Sequence, residues 1–307
     1  MRLIYLPIIL LIFSLININT PDILTVTFEG ETIATVNKSE YTDPLFGKTM
    51  VDADKYRELV ESIDQEVDED PVNAMIDEHG RVISEHVGYR LDRQAFKESF
   101  FNYFYSNGNT EIEAPRLKVY PKVDSELLAH IRVQEIGHYI TYFNSNNKER
   151  SHNIALATEA INNHVVFPEE TFSFNGTVGK RTIKRGYLPA PIIVRGELAE
   201  GIGGGICQVS STLFNAVDHA GLKIVQRYAH SKRVPYVPPG RDATVSWYGP
   251  DFIFKNKHNQ PVLIRAQIVG GQVIIRIYSS ETINYEPRNV PDAPNQVPKE
   301  IIVGKLF

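Results

Sequence analysis

The sequence predicts an α+β protein, two small domains behind an N-terminal apolar segment, and three observations carry that reading. The 307 residues are roughly twice the ~150 of an average domain. Charge divides along the chain: 13 Lys/Arg stand against 24 Asp/Glu over residues 1–140, and 16 against 9 over 141–280. Short alternating runs of the strand kind are interleaved with helical spacings, and a polar stretch, NSNNKER over 144–150, parts the two halves. With 42% hydrophobic and 22% charged residues the composition is globular, which excludes collagen-like, wholly disordered and polytopic membrane classes. The net charge of -5 lacks the strongly basic character of a duplex nucleic-acid binder, so no nucleic-acid partner is expected.

The first element is the run Leu3 to Ile16 (LIYLPIILLIFSLI), behind a lone Arg2. As a helix it would span ~21 Å, short of the ~30 Å hydrocarbon core, so residues 1–20 read as a signal peptide or membrane anchor. A first strand would show alternation, which is missing here. The remainder is expected outside the cytoplasmic membrane, with membrane contact through this segment alone.

Residues 23–140 read as an N-terminal α+β domain. Alternation over 23–35 around Glu29-Gly30-Glu31 is a hairpin signal. Over 51–71, nine Asp/Glu surround Tyr56, Leu59, Val60 and Ile63 at helical spacing, which gives a helix with an acidic face. There follow a strand, a His79-Gly80 turn, a strand, a helix from Asp92 as N-cap to Tyr105, an Asn107-Gly108 turn, and a strand from Glu111 to Val119. Pro121 breaks the chain, and a helix starts at Asp124.

Residues 150–280 read as the second domain. Ser151 is placed to cap a helix with Ile154, Ala157, Thr158 and Ile161 on one face. Short strands are expected at Val165 to Phe167, Pro191 to Val194, Lys223 to Tyr228, Ala243 to Trp247 and Phe252 to Lys255. A hairpin from Val262 to Ile277 turns at Gly270-Gly271. The tail over 285–307 has four prolines by Pro298 and is expected to be extended or disordered.

The chemistry concentrates in GIGGGICQVSSTLFNAVDHAG, Gly201 to Gly221. Gly203, Gly204 and Gly205 permit positive φ and close backbone approach. After them Val209, Leu213, Ala216, Val217 and Ala220 share one helical face, which sets Cys207 at a helix N-terminus. Free N–H groups and the macrodipole there favour the thiolate, and the amides of Gly205, Ile206 and Gln208 are placed to receive an oxyanion. A phosphate-cradling loop would need a Gly-Lys-Ser/Thr end that is missing. The one cysteine makes no intrachain disulfide, so Cys207 is either a reactive thiol or a small core residue. A thiolate nucleophile needs a base, and His230 follows a strand that could bring it back beside the helix start. Asp242 either orients His230 or closes its own turn. His152, His164, His219 and His258 read as surface histidines. No zinc spacing is visible, and neither metal nor cofactor is expected.

The run from Arg150 to Ser279 resembles a VanW domain. It carries Phe172-Ser-Phe-Asn175, Val178-Gly179, Gly186-Tyr187, GGGICQVSSTL from Gly203 to Leu213, Asn215-Ala216, His230-Ser231, Tyr236, Pro239-Gly-Arg-Asp-Ala-Thr-Val245, and Asp251 with Lys255-Asn256, in the family's order. Residues from about 72 to 122 resemble the peptidoglycan-binding module that often precedes such a domain. Two departures stand before the cysteine motif: Asn163-His164 replaces the usual Gly, and Pro168-Glu169-Glu170 replaces Pro-Gly-Glu. The resemblance implies a bacterial envelope protein acting on peptidoglycan stem peptides, and the basic charge of the second half would suit an anionic wall matrix as a further partner. Some members are L,D-transpeptidases using the motif cysteine, so it implies Cys207 as nucleophile and His230 as base. Substrate contacts are then expected from Ser210, Arg233, Tyr236 and Arg241. The alternatives are a non-catalytic wall-binding or glycopeptide-resistance accessory protein, and a thiol peptidase or carboxypeptidase.

Overall fold

Alternating burial builds the first sheet. Leu24, Val26 and Val36 point inward from the hairpin Ile23–Phe28 and Glu31–Asn37, whose turn puts Glu29 and Gly30 at φ 52° and 87°. The structure, a computed structural model, describes residues 22–45, 48–194 and 197–298; the apolar segment 1–20 and residues 299–307 lie outside these. The class is mixed α+β, with six α-helices and several small sheets among the described residues. No described helix is long and apolar enough to cross a membrane. The described chain divides into two units, one holding residues 22–72 with 86–121, the other 73–85 with 122–298.

In the first unit, strand Thr110–Glu113 joins Ile23–Phe28 in parallel. Helix α1 (Ala53–Val67) starts on Asp52, whose carboxylate accepts the amides of Asp54 and Lys55 at 3.1 Å. Helix α2 (Arg93–Tyr105) starts on Asp92, as its sequence predicts. Leu59, Val60 and Ile63 from α1 and Phe96, Phe100 and Phe104 from α2 close the core over the hairpin. The single strand expected over 111–119 is two, Thr110–Glu113 and Arg116–Val119. Pro115 lies between them, and its carbonyl accepts the Asp92 amide at 2.8 Å.

In the second unit, four antiparallel strands lie in the order Gln134–Tyr142, Gln272–Ser279, Val262–Val269, His164–Val166. A second sheet orders Thr171–Ser173, Ile253–Lys255 and Lys223–Gln226. Helices α3 (Ser125–Ile131), α4 (Lys148–Ile161), α5 (Phe174–Val178) and α6 (Ile206–His219) complete it with a hairpin of Pro189–Val194 and Glu197–Ile202.

Several expectations need correction. Strand Gln134–Tyr142 was hidden behind the helix starting at Asp124, and it pairs along its length with Gln272–Ser279. The second compact unit takes 73–85 as well as the chain from 122, so the stretch 72–122 is shared between the units. The polar stretch 144–150, open to being a linker or a domain-edge loop, is a loop that runs into a helix: α4 is capped by Asn147, which accepts the Arg150 amide at 3.1 Å, and Ser151 donates back to the Asn147 carbonyl from inside the helix. Residues 243–247 run without strand pairing. The tail over 285–298 is extended and packed, with Tyr285, Val290 and Ala293 against the core.

Helix α6 sits so close to the main sheet that a Cβ on Gly137 would meet the Ala216 carbonyl oxygen at 2.6 Å and the Ala220 nitrogen at 2.7 Å. Because both are backbone atoms of a buried helix, Gly137→Ala is expected to destabilise the protein by about 1–3 kcal/mol. Urea unfolding measures this, and an unchanged midpoint would contradict the close packing.

Candidate active site

Helix α6 is buried almost all round: every residue from Gln208 to Val217 is inaccessible, including Ser210, Ser211, Thr212 and Asn215. Buried polar groups must be bonded, and here most reach the segments around them. Ser211 Oγ accepts the Ala243 amide at 2.9 Å and donates to the Cys207 carbonyl at 2.7 Å. Asn215 donates to the Arg241 carbonyl at 2.8 Å and accepts from Arg241 Nε at 2.7 Å. Gln208 donates to Thr141 Oγ1 and the Tyr142 carbonyl, both at 3.0 Å, and accepts from Arg150 at 2.8 Å.

The helix opens on Gly205, at φ 106°, which a side chain would rarely tolerate. Buried Asn153 of α4 fixes the preceding turn, donating to the carbonyls of Leu188 at 2.9 Å and Gly204 at 3.1 Å. The Ile206 and Gln208 amides are engaged by the Gly203 and Gly205 carbonyls. Those of Gly205 and Cys207 make no hydrogen bond among the described residues. The oxyanion donors expected over Gly205 to Gln208 therefore narrow to these two.

Cys207, second in the helix, is partly exposed. Its sulfur lies 3.7 Å from Thr244 Oγ1 and 3.5 Å from the Val245 carbonyl oxygen, and the His230 side chain is near enough to act on its charge. Asp242 Oδ2 receives both the backbone N–H and Nδ1 of His230 at 2.6 Å. This fixes the tautomer and leaves Nε2 to the sulfur. Of the two roles open to Asp242 in the sequence, the structure displays the orienting one. Arg241 N–H to the Pro238 carbonyl closes the turn instead. Burial alone would push the Cys207 thiol up, but the hydrogen bond and charge of His230 outweigh it and bring the thiol below its ordinary value. Burial would likewise lower His230, and Cys207 with Asp242 raises it instead. Each group is thereby biased toward its charged form, thiolate for Cys207 and imidazolium for His230.

The sulfur opens on a cleft of about 1030 Å³. Arg150, Lys180, Arg181, Lys232 and Arg233 line it with no carboxylate among the described residues, and Trp247 and Tyr248 stand exposed at its edge. Gly203, Gly205, Ile206, Gln208, Arg233 and Tyr236 of the expected site also line it. Tyr236 is buried, and that burial with the nearby Cys207 charge pushes its phenol far up, so it stays neutral. Besides Asp242, which stands behind His230, three expected residues do not line the cleft. Gly204 is buried beneath the turn, and Ser210 is fully buried in α6. Arg241 is held away, paired with Asp218 at 2.8 Å and stacked on Phe214. Sequence reasoning missed Arg150, Arg181, Thr244 and Asn153. Thr244 stood inside the quoted Pro239-to-Val245 run, whereas the arginines carried no spacing signal. No three His, Cys, Asp or Glu side chains converge as a metal site among the described residues.

The family model described as VanW like protein matches residues 149–278. The chain is 61% identical over 280 residues to the protein named Uncharacterized protein YoaR of Bacillus subtilis (strain 168), covering 91% of this chain and 92% of that one. This chain belongs to the VanW family. It is also 34% identical over 99 residues to Vancomycin B-type resistance protein VanW of Enterococcus faecalis (strain ATCC 700802 / V583), covering 31% of this chain and 36% of that protein. No solved structure matches it significantly. The VanW match contains all three members of the Cys207, His230, Asp242 arrangement.

The ion pair has a pH window, open above the lowered Cys207 pKa and closed above the raised His230 pKa. Alkylation of Cys207 by iodoacetamide is expected to inflect below the ordinary thiol value of 9.0. His230→Ala should move the inflection upward, since burial then loses its main opponent. Asp242→Asn should lower the His230 pKa and draw in the alkaline end of the window. An inflection that stays put in His230→Ala would refute the pairing.

Proposed function

We propose that the protein is a cysteine acyltransferase of the L,D-transpeptidase kind that remodels bacterial peptidoglycan outside the cytoplasmic membrane. The observation carrying this reading is the line from Asp242 through His230 to Cys207 at the mouth of a cleft walled by cations. A thiolate and an oriented imidazolium beside unbonded amides are what acyl transfer through a thioester requires. The cations suit the carboxylates of stem peptides and an anionic wall matrix. The printed name of the Enterococcus relative, a vancomycin resistance protein, supports a role at the wall.

In the first half-reaction the Cys207 thiolate adds to the carbonyl of the L,D bond in a tetrapeptide stem. The oxyanion is received by the Gly205 and Cys207 amides. Imidazolium Nε2 gives its proton to the departing nitrogen, the C–N bond breaks, and the terminal D-residue leaves as a free amino acid. A thioester joins Cys207 to the rest of the stem. In the second, an amine from a neighbouring stem attacks, His230 takes its proton, and the new amide releases the thiolate. In this reading residues 1–20 hold or export the chain across the membrane, and the stretch from about 72 to 122 contributes wall affinity.

The test is the intact mass of the full chain and of its Cys207→Ala variant, each incubated with disaccharide-tetrapeptide. A thioester adduct on the unsubstituted chain alone is expected, with release of the D-residue and formation of cross-linked dimers. His230→Ala should slow turnover by about 100- to 10,000-fold. Release without dimers would make the same apparatus a carboxypeptidase. Unmodified Cys207 and intact substrate, with sacculi still bound, would make the protein an accessory wall binder.

A further inference from the structure

Every stem peptide offers amides to a thiolate, so the cleft needs a group that tells one amide from another. Arg181 follows α5, with its side chain against the turn that leads to Cys207: a Cβ built on Gly203 would come within 3.1 Å of Arg181 Cβ and Cγ. Nη1 donates to Asn175 Oδ1 at 2.7 Å, and the guanidinium lies over the Phe174 ring at 5.8 Å. Nη2 is closed off from solvent and has no hydrogen-bond partner among the described residues. A buried N–H left unpaired on a cation is a standing cost. Burial also lowers the Arg181 pKa, and the largest opposing influence is the charge of Cys207, which marks how near the two groups are. The other inner cations are already occupied: Arg150 donates to Gln208 at 2.8 Å, and Lys180 to the Tyr248 hydroxyl at 2.6 Å.

We propose that Arg181 is a specificity-determining residue that takes the free α-carboxylate of the terminal D-residue, the leaving group of the acyl transfer. The inference rests on the stem-peptide reading above. The choice of carboxylate follows from connectivity. In the scissile unit C(=O)–N–Cα–COO⁻ the terminal carboxylate is three bonds from the carbon that Cys207 attacks, whereas the stem's other carboxylates lie on the acyl side. Arg181 and Cys207 flank the same turn, so the anion that Arg181 meets is the near one. A small rotation of the guanidinium toward the cleft exposes Nη2, and a carboxylate then satisfies it while Nη1 remains on Asn175. Such a group selects stems that end one residue past the scissile bond. A carboxamide end leaves the guanidinium unpaired, and a longer stem puts its carboxylate out of register.

The experiment uses the full chain carrying Cys207→Ala, so that binding is read without turnover. Calorimetry compares disaccharide-tetrapeptide as the free acid with the same molecule as its C-terminal carboxamide. The acid is expected to bind about 10- to 100-fold tighter, the range of a charged hydrogen-bonded pair. Adding Arg181→Gln should bring the ratio to about one by weakening the acid alone, and Arg181→Lys should keep part of the preference. Equal binding of acid and amide without the Arg181 substitution, no binding of either, or a preference that survives Arg181→Gln would each overturn the assignment. Should Arg181→Gln lose its circular dichroism spectrum, the acid-to-amide ratio with Arg181 intact and the Arg181→Lys comparison still decide. Thioester formation on chains retaining Cys207 is followed alongside. A preference without thioester sinks the transfer reading and keeps the subsite; thioester formed equally from acid and amide does the reverse.

Discussion

The geometry around Cys207 hangs on a strap between the middle of α6 and the segment that passes over it. Ser211 and Asn215 lie one and two turns beyond Cys207 on a helix with no exposed face, so each polar atom needs a partner inside the protein. They find partners at Ala243 and Arg241, either side of Asp242. Asp242 is thus fixed along the same helix that carries the sulfur, and through its carboxylate it fixes His230. The sulfur, the imidazole and the carboxylate that orients it are therefore set relative to one rigid element, although 35 residues separate the first from the last. Leaving a buried donor or acceptor unbonded costs about 1–3 kcal/mol, so the strap holds wherever α6 remains buried.

Electrostatics then decide the protonation states against the direction of burial. Taken singly, the thiol would be pushed up by burial and the imidazole down, each toward its neutral form. Each instead supplies the opposite charge to the other, and Asp242 adds a second anion beside the imidazolium. The helix start adds its own bias, with unbonded amides at Gly205 and Cys207 directed at the end where negative charge collects. A shift of one pKa unit is only about 1.4 kcal/mol, so one well-placed partner suffices to reverse the effect of desolvation. The cationic wall of the cleft extends the same preference for anions outward from the sulfur.

What was legible in the sequence was what is written locally. Helix caps at Asp92 and Asp124, the Gly270-Gly271 turn and the glycine-to-cysteine opening of α6 all follow from neighbouring residues. The strand Gln134–Tyr142 did not, because its pairing partner is more than a hundred residues away and its alternation runs on from a helix. The two departures from the VanW pattern prove instructive. Asn163 and Glu169 stand where that pattern has Gly, and both adopt positive φ, 63° and 66°. Asn tolerates that region better than most residues. Here its amide also bonds both the N–H and the carbonyl of Ile76, at 3.0 and 3.1 Å, so the replacement gains a tie a glycine lacks. Cys207, His230 and Asp242 were recognisable as residue types, but their meeting was not, since it depends on the strap. Arg181 carried no local signal, for what distinguishes it is an atom that finds no partner among the described residues.

The fate of the arginines shows how the fold separates structural charge from charge left facing a ligand. Arg241 and Arg288 converge on Asp218 near the end of α6, each at 2.8 Å. Burial alone would raise that carboxyl, but the two guanidinium groups hold it below its ordinary value. Arg227 donates to the Gly240 and Asp242 carbonyls, and Arg227 and Arg241 both stack on Phe214. These three side chains clamp the tail and the Asp242 segment to the far end of the helix that presents Cys207. Removing one guanidinium from such a set leaves a buried carboxylate or carbonyl short of its partner, a structural loss unrelated to substrate. The cations near the other end of α6 face a cleft that offers them no carboxylate. Arg181, whose Nη2 has no partner among the described residues, therefore stands in a different electrostatic setting from the arginines clamped on Asp218, one that favours an anion arriving from the cleft.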